Sequence, residues 1–206
     1  MAETLLSCAL VTQADAKSSL GLNLSVATYD DQVNALVNYI SELFEGVMNG
    51  RRIVSTVFSS ISGVEGATDI DALDGDNSSE IWLPQYPVSA LTTLKVDGDE
   101  ISERADLDSD GWVLEKASGR IRLVGDVFLK GTQNIDLTFT AGYAAVPKDL
   151  RLVALLEIKR AWAKAYKNEV GKSSEADAQG NRTWIIKGLL PETEKVLARY
   201  RKRNAW

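Results

Sequence analysis

The sequence has no histidine and only one cysteine, Cys8, among its 206 residues. A Ser-His-Asp triad, a Cys-His pair and the usual zinc sites all need residues that are missing here. Cys8 has no partner for an internal disulfide, so we expect it to be a small buried hydrophobic residue. Any catalysis would have to rest on carboxylates, lysines or a carboxylate-held metal, and we therefore do not expect an enzyme.

Long apolar runs are also missing. No stretch of about 18 apolar residues occurs, so no membrane-spanning helix is predicted. The first residues lack a basic segment ahead of their short apolar run, and a signal peptide is not expected. No phosphate-binding glycine loop occurs either, and we predict no cofactor. These absences favour a protein made and used in a reducing, cytoplasm-like compartment.

Charge is distributed unevenly along the chain. The whole sequence has a formal net charge of −6, but residues 187–206 hold six basic and two acidic side chains. Tight binding of double-stranded DNA by the whole domain is not expected, because such affinity depends on basic side chains that neutralise phosphates. A basic end on an acidic body usually marks an interaction segment.

Hydrophobic periodicity predicts three helices and a helical tail. Thr12 to Leu20 is predicted to be a short helix that Thr12 caps and Gly21 ends. Residues 30–49 repeat apolar side chains at three- and four-residue spacings, which indicates a long amphipathic helix. A second long helix is predicted over about 149–168, apolar nearly all round in its first half, as in a core helix. Pro191 is predicted to begin the tail helix.

The middle of the chain, about 52–143, is predicted to be rich in strands. Alternating or β-branched segments predict strands at 52–58, 80–83, 90–96, 112–115, 120–124 and 134–143. Turn residues predict a loop at 63–79 and a linker at 171–180, followed by a strand at 183–186. The predicted fold class is α+β: a helical scaffold of two long helices and a short N-terminal helix, with an inserted antiparallel β block and a C-terminal tail helix.

Two acidic clusters are candidates for a metal site. Asp106, Asp108 and Asp110 precede Gly111 in the spacing that opens a calcium loop, but the twelfth position is Ala117 instead of glutamate. An acidic β-turn is therefore favoured over a weak calcium site. The second cluster is interpreted as a solvated loop and comprises Asp69, Asp71, Asp74 and Asp76.

The basic tail is the other candidate site. Residues 199–203 could bind nucleic acid, dock on an acidic protein surface or form a solvated helix face, and the last two are favoured because the segment is short. Trp206 could be a disordered end or an anchor in a partner's pocket. Trp82, Trp112 and Trp162 are predicted to lie in the core or on a sheet face.

An ordered set of motifs resembles the head–tail connector (adaptor) proteins of tailed phages. Residues 137–150, LTFTAGYAAVPKDL, resemble that family's pattern of A-G-Y at the end of a strand followed by V-P-x-D-L. Residues 86–98 resemble its Y-P-V hairpin, and residues 118–123 resemble its G-x-I-x-L strand. In physical terms, Gly142 allows a sharp turn, Tyr143 packs back on the sheet, Pro147 ends the ladder and Asp149 caps or charges the next helix.

The resemblance implies a structural role in the virion neck, in particles assembled in the cytoplasm of a host bacterium. Such proteins form a ring, usually twelve-fold, beneath the portal protein; they extend the channel and give the stopper or tail-completion protein a platform. It also implies a connector domain at 1–170, and a linker and docking tail at 171–206. Double-stranded DNA would pass without specific binding. The portal-docking candidates are Arg199, Tyr200, Arg201, Lys202, Arg203 and Trp206.

Other functions stay open at this point. The nearest alternative is the neighbouring neck protein, the head-completion stopper. A metal-binding module and a nucleic-acid-binding module are further alternatives, which rest on the aspartate clusters and on the basic tail.

Overall fold

A computed structural model describes residues 3–166, 174–177, 180–183 and 188–202 of the chain. The chain divides into two compact units. The helical unit consists of Met1–Gly50 and Val146–Arg201, and the β unit consists of Arg51–Ala145 and Lys202–Trp206. The β unit therefore interrupts the helical unit in sequence, which agrees with the α+β class and the β insertion expected from the sequence.

The described part of the helical unit contains four α-helices. They are α1 (Gln13–Leu20), α2 (Asp30–Val47), α3 (Lys148–Tyr166) and α4 (Pro191–Tyr200), with a short 3-10 turn at Ala27–Tyr29 before α2. The Thr12 side chain accepts a hydrogen bond from the Asp15 backbone N–H at 3.1 Å, and Gly21 ends α1 in the left-handed region with φ +71°. Both ends of α1 are thus formed by the residues that the sequence predicts, since each signal is local.

The core of the helical unit is formed by one face of each long helix. The α2 stripe is buried as predicted, and its fully covered members include Val33, Val37 and Phe44. The prediction that α3 is buried all round is wrong. Leu150, Val153 and Ile158 are buried, whereas Leu152 and Leu156 are exposed, so α3 is an amphipathic helix with leucines on both faces. Cys8 is buried, as expected.

Among its described residues, the β unit contains two sheets built from nine strands. The strands are β1 (Thr56–Ser59), β2 (Thr68–Asp69), β3 (Leu73–Gly75), β4 (Glu80–Trp82), β5 (Val88–Val96), β6 (Asp99–Glu100), β7 (Gly111–Glu115), β8 (Arg120–Val124) and β9 (Gly131–Ala141). One sheet has the order β2-β1-β9-β5-β6, with β3 also paired to β9, and the other has the order β4-β8-β7. The predicted antiparallel pairing holds for most neighbours, but β1 and β2 run parallel, so the larger sheet is mixed.

The long strand β9 organises the β unit. It pairs with β1, β3 and β5, and its side chains Ile135, Leu137 and Phe139 are completely buried. The rings of Phe58 and Phe139 stack on adjacent strands with centroids 5.4 Å apart. Because β9 offers partners on both edges, neighbouring segments with weak strand signals are drawn into the sheet.

This pairing explains where the strand predictions were wrong. The predicted loop at 63–79 contains the short strands β2 and β3, which are held by β1 and β9. The predicted linker contains Ser174–Asp177 (β10), which pairs with Gly180–Thr183 (β11) in an antiparallel hairpin. The remainder of the linker prediction, 171–173 and 178–179, and the rest of the strand predicted at 183–186 lie outside the described residues.

Hydropathy gives no indication of a bilayer-crossing helix within the described ranges: none of the helices there is both long and apolar enough.

Candidate docking site

The segment that carries the family resemblance connects β9 to α3. Gly142 has φ +107°, and a Cβ atom at this position would lie 2.6 Å from the carbonyl oxygen of Val54. The next residue, Tyr143, donates its backbone N–H to Ile53 O at 2.7 Å and accepts from Ser55 N at 3.1 Å. Two chain segments therefore approach each other closely here, and glycine is the residue that permits the approach.

Arg51 joins the aromatic residues of two of the resembling motifs. Its guanidinium carbon lies 4.1 Å from the centroid of the Tyr86 ring, and its Nη2 donates to the Tyr143 hydroxyl at 3.4 Å. The Arg51 side chain also donates from Nε to the Tyr86 carbonyl oxygen at 3.1 Å. The arginine is almost fully buried, so these contacts replace the water that it gives up. No local pattern in the sequence indicates this role for Arg51.

Asp149, at the start of α3, contacts the C-terminal end of α4. It lies in the first turn of α3, where its Oδ1 accepts from the Leu150 backbone N–H at 2.9 Å. The same carboxylate accepts a hydrogen bond from the Tyr200 hydroxyl at 2.9 Å and forms an ion pair with Arg199 at 2.9 Å. A residue identified by its place in the resembling motif thus contacts two of the tail residues predicted to dock on a partner.

A second polar group fastens the N-terminal end of α4. Glu157 is buried on α3, and its Oε1 accepts the backbone N–H of Leu190, the residue before α4, at 2.8 Å. Its Oε2 pairs with Arg160 at 2.8 Å, and Arg160 donates in turn to the Gly188 carbonyl at 2.8 Å. With Leu197 buried between these two ends, α4 is packed against α3 instead of extending as an arm.

The predicted docking residues have different surroundings. Arg199 and Tyr200 contact Asp149, and Arg201 donates from Nε to the Val47 carbonyl oxygen at 3.1 Å. Lys202 is half-buried, and Arg203 and Trp206 lie outside the described residues. Arg199 keeps more than half of its side chain exposed, so the ion pair with Asp149 leaves a basic surface at this end of α4.

The family follows from a match over nearly the whole sequence. The family model described as "Head completion protein" matches residues 9–203. The chain belongs to the head completion protein family. Such a protein is a structural component of a phage-type virion, and the resemblance to phage head–tail proteins is thereby confirmed. No curated protein matches the sequence.

Solved structures show the same fold at low identity. A chain from "Neck of empty GTA particle computed with C6 symmetry" is 19% identical, with a TM-score of 0.53 over 98% of this chain and 94% of that one. A chain from "Virion of native gene transfer agent (GTA) particle" is 18% identical, with a TM-score of 0.54 over 100% and 96%. A chain from "Neck of native GTA particle computed with C12 symmetry" is 20% identical, with a TM-score of 0.51 over 95% of both chains. These likenesses establish a shared fold for the head completion protein.

The Asp106–Gly111 segment is a turn held by side chains of the segment and by Arg104. Asp106 Oδ1 accepts from the Asp108 backbone N–H at 3.0 Å, and Arg104 donates from Nε to the Ser109 carbonyl at 2.9 Å and from Nη2 to the Leu107 carbonyl. Within the described ranges, no three His, Cys, Asp or Glu side chains are grouped as metal ligands would be. The geometry is that of the acidic turn favoured by the sequence.

Trp82 and Trp112 occupy opposite faces of the smaller sheet. Trp112 is buried and donates from Nε1 to the Ile101 carbonyl at 3.0 Å. Trp82 is exposed beside Arg120, whose guanidinium carbon lies 5.8 Å from the ring centroid. On the same face the hydrogen bond from Arg122, followed by the charge of Arg120, holds the pKa of Glu80 below its ordinary value.

Removal of the Asp149 carboxylate should loosen the last turn of α4 in the head completion protein. Asp149→Ala deletes the acceptor of both Arg199 and Tyr200, and the expected cost is about 1 kcal/mol because these contacts are partly exposed. Amide exchange near residue 200, or trypsin cleavage after Arg199, should become faster by the factor that corresponds to a free-energy change of about 1 kcal/mol. Asp149→Asn is the matched control, since it keeps an acceptor for Tyr200; equal exchange in wild type and Asp149→Ala would contradict the role.

The stability of the helical unit should depend on pH through Asp15. A hydrogen bond from Thr12, supported by the Arg151 guanidinium at 2.6 Å, holds the pKa of Asp15 below its usual value of 3.8. A lowered pKa gives stability that is present above the unfolded pKa and is lost as pH falls through the folded pKa. The melting temperature of wild type should therefore exceed that of Asp15→Asn at pH 7. The difference should shrink below pH 4, and a constant difference across this range would contradict the assignment.

Proposed function

We propose that this head completion protein is a subunit of the connector (adaptor) ring in the neck of a tailed-phage particle. It binds beneath the portal, extends the DNA channel and provides the platform for the stopper or tail, without catalysis and without a cofactor. The observation that carries the proposal is the family match over residues 9–203. It is supported by the fold shared with chains of neck reconstructions computed with C6 and C12 symmetry, since these symmetries are those of rings.

The charge of the two units supports a channel role. The β unit, residues 51–145 and 202–206, contains ten basic and sixteen acidic side chains, a net charge of −6, and the helical unit contains thirteen of each, a net charge of zero. The acidic character predicted for the body thus belongs to the β unit. An acidic lumen repels phosphates, so packaged double-stranded DNA can slide past such a surface without specific binding.

The basic end of the chain is proposed as the portal-docking element. The described part is the exposed side of the last turn of α4, where Arg199 presents a charged head group although it contacts Asp149. Arg201 and Lys202 follow directly in sequence, and Arg203 and Trp206 complete the element. Arginine and tryptophan are the residue types that most often supply the binding energy of protein interfaces.

Portal binding by truncated and full-length protein tests the docking element. Deletion of residues 203–206 together with Arg201→Ala should weaken binding to purified portal by about tenfold or more, while the melting temperature stays close to that of wild type. Lys95→Ala, which removes a basic side chain from the β unit, is the control and should bind as wild type does. Unchanged portal affinity of the truncated protein would overturn the docking role.

The head-completion stopper is the second candidate, because the description of the matched family uses the same term. The two functions differ in what the protein binds first. A connector subunit binds isolated portal and forms rings on it that negative-stain imaging detects. A stopper binds only after a connector ring has been added to the portal. Binding that requires such a ring would therefore replace the proposed function by the alternative.

A further inference from the structure

The outer face of α3 presents an apolar pair with basic neighbours. Leu152 is 59% exposed and Leu156 is 39% exposed, and their spacing of four residues places them side by side on the helix. Lys148 lies one turn before Leu152, and Lys159 lies three residues after Leu156; both are exposed. Single exposed leucines are ordinary, but an adjacent pair between two lysines forms a defined patch, which we call the leucine–lysine face.

The leucine–lysine face is basic because both acidic residues of α3 are engaged elsewhere. Asp149 contacts Arg199 and Tyr200, and Glu157 is buried against Leu190 and Arg160. Each carboxylate forms an ion pair with an arginine, Asp149 with Arg199 and Glu157 with Arg160. The face therefore fits a partner that combines an apolar side chain with negative charge.

The β unit of the same chain carries a surface of that composition. Leu107 is 86% exposed, and it stands between the exposed residues Asp106 and Asp108. The turn is preformed, since Arg104 donates to the carbonyl oxygens of Leu107 and Ser109. A side chain held out on a preformed turn loses little conformational entropy when it binds. We call residues 106–108 the Leu107 turn.

We infer that the Leu107 turn of one subunit docks on the leucine–lysine face of a second copy of the chain. In this contact Leu107 packs on Leu152 and Leu156, while Asp106 and Asp108 face Lys148 and Lys159. The inference rests on the proposed ring and names the surfaces that join its subunits. Because each copy offers two different patches, the contact is head-to-tail, the type of contact that builds a ring when its rotation closes.

Two exposed-face variants test the contact by sedimentation velocity. Leu107→Ser removes one patch and Leu152→Ser with Leu156→Ser removes the other, and each variant alone should self-associate about tenfold or more weakly than wild type. A mixture of the two should form a one-to-one dimer that does not grow, since one intact patch remains on each chain. Leu129→Ser, at another exposed leucine of the β unit, is the matched control and should associate as wild type does.

Charge reversal gives a second, independent readout. Asp108→Lys alone, and Lys148→Glu with Lys159→Glu alone, should each weaken self-association, and one chain that carries all three replacements should regain it. Intact melting temperatures confirm that the variants are folded. Recovery in the triple variant supports opposite charges across the contact, because neither of its two patches is unchanged.

Several results would overturn the inference. They are unchanged association of Leu107→Ser, absence of a dimer in the mixture of the serine variants, or a wild-type protein that stays monomeric up to its solubility limit. Loss of association in the α3 variant but not in Leu107→Ser would assign the leucine–lysine face to a different occupant. Portal binding by wild type is measured separately, so failure of the subunit contact and failure of the proposed function give different results.

Discussion

Replacement of Lys17 by methionine is expected to lower the free energy of unfolding by about 3 kcal/mol, the lower end of the range for breaking a buried ion pair. Lys17 is only 2% exposed, and its Nζ forms an ion pair with Asp30 and donates to the Val26 carbonyl at 2.8 Å. Methionine keeps the apolar stem but leaves the carboxylate and the carbonyl without their donor. The lower end applies because the Asp30 side chain is about one third exposed and can regain water.

Urea unfolding followed by circular dichroism measures this loss. Lys164→Met is the control, since it makes the same replacement at an exposed position of α3 and should change stability by less than about 0.5 kcal/mol. Asp30→Asn should also destabilise the protein, because it retains an oxygen that can accept from the lysine but leaves the buried ammonium without a counter-charge. A Lys17→Met protein as stable as the control would show that the buried ammonium contributes little.

Gly142→Ala is expected to destabilise the protein by about 3 kcal/mol or more, because it combines backbone strain with a steric clash. The φ of +107° is one that side chains with a Cβ rarely adopt. The added atom would lie 2.6 Å from Val54 O and 2.7 Å from Val54 C, and backbone atoms cannot move aside as a flexible side chain can. The substitution would also strain both backbone hydrogen bonds of Tyr143, one with Ile53 and one with Ser55.

Gly98→Ala separates strain from clash. Gly98 lies in the turn between β5 and β6 with φ +90°, and no atom lies within 4 Å of the position that its Cβ would take. Strain alone should cost about 1–2 kcal/mol there. Denaturant midpoints of the two variants give the comparison, and equal losses would mean that the approach of Val54 to residue 142 adds nothing.

Sequence patterns predicted those elements whose signals are local. Thr12 and Gly21 bound α1 because a cap acts within one turn of the chain, and the stripe of α2 follows from its own periodicity. β2 and β3 were not predicted, since their strand conformation depends on pairing with β1 and β9. Burial of only one face of α3 was also missed, because a run of leucines does not reveal which of them a neighbouring helix covers.

The candidate site could be predicted only in part, because sequence patterns report local structure and not contacts between distant residues. The motif predicted Asp149 at the start of a helix, and the charge pattern predicted the basic tail. Nothing in the sequence joins Asp149 to Arg199 and Tyr200, which are some fifty residues away. Lysine is rarely buried, and no pattern in the sequence indicates that Lys17 is covered and lies beside Asp30.

The chain enters and leaves the β unit at nearly the same point. Ser55 and Ile53, shortly after the entry, both bond to Tyr143, shortly before the exit. The distance between the two ends is fixed by these bonds, so insertions or deletions among the loops between β1 and β9 leave it unchanged. The loops of residues 51–145 can therefore diverge in length and charge without separating the two points at which this segment begins and ends.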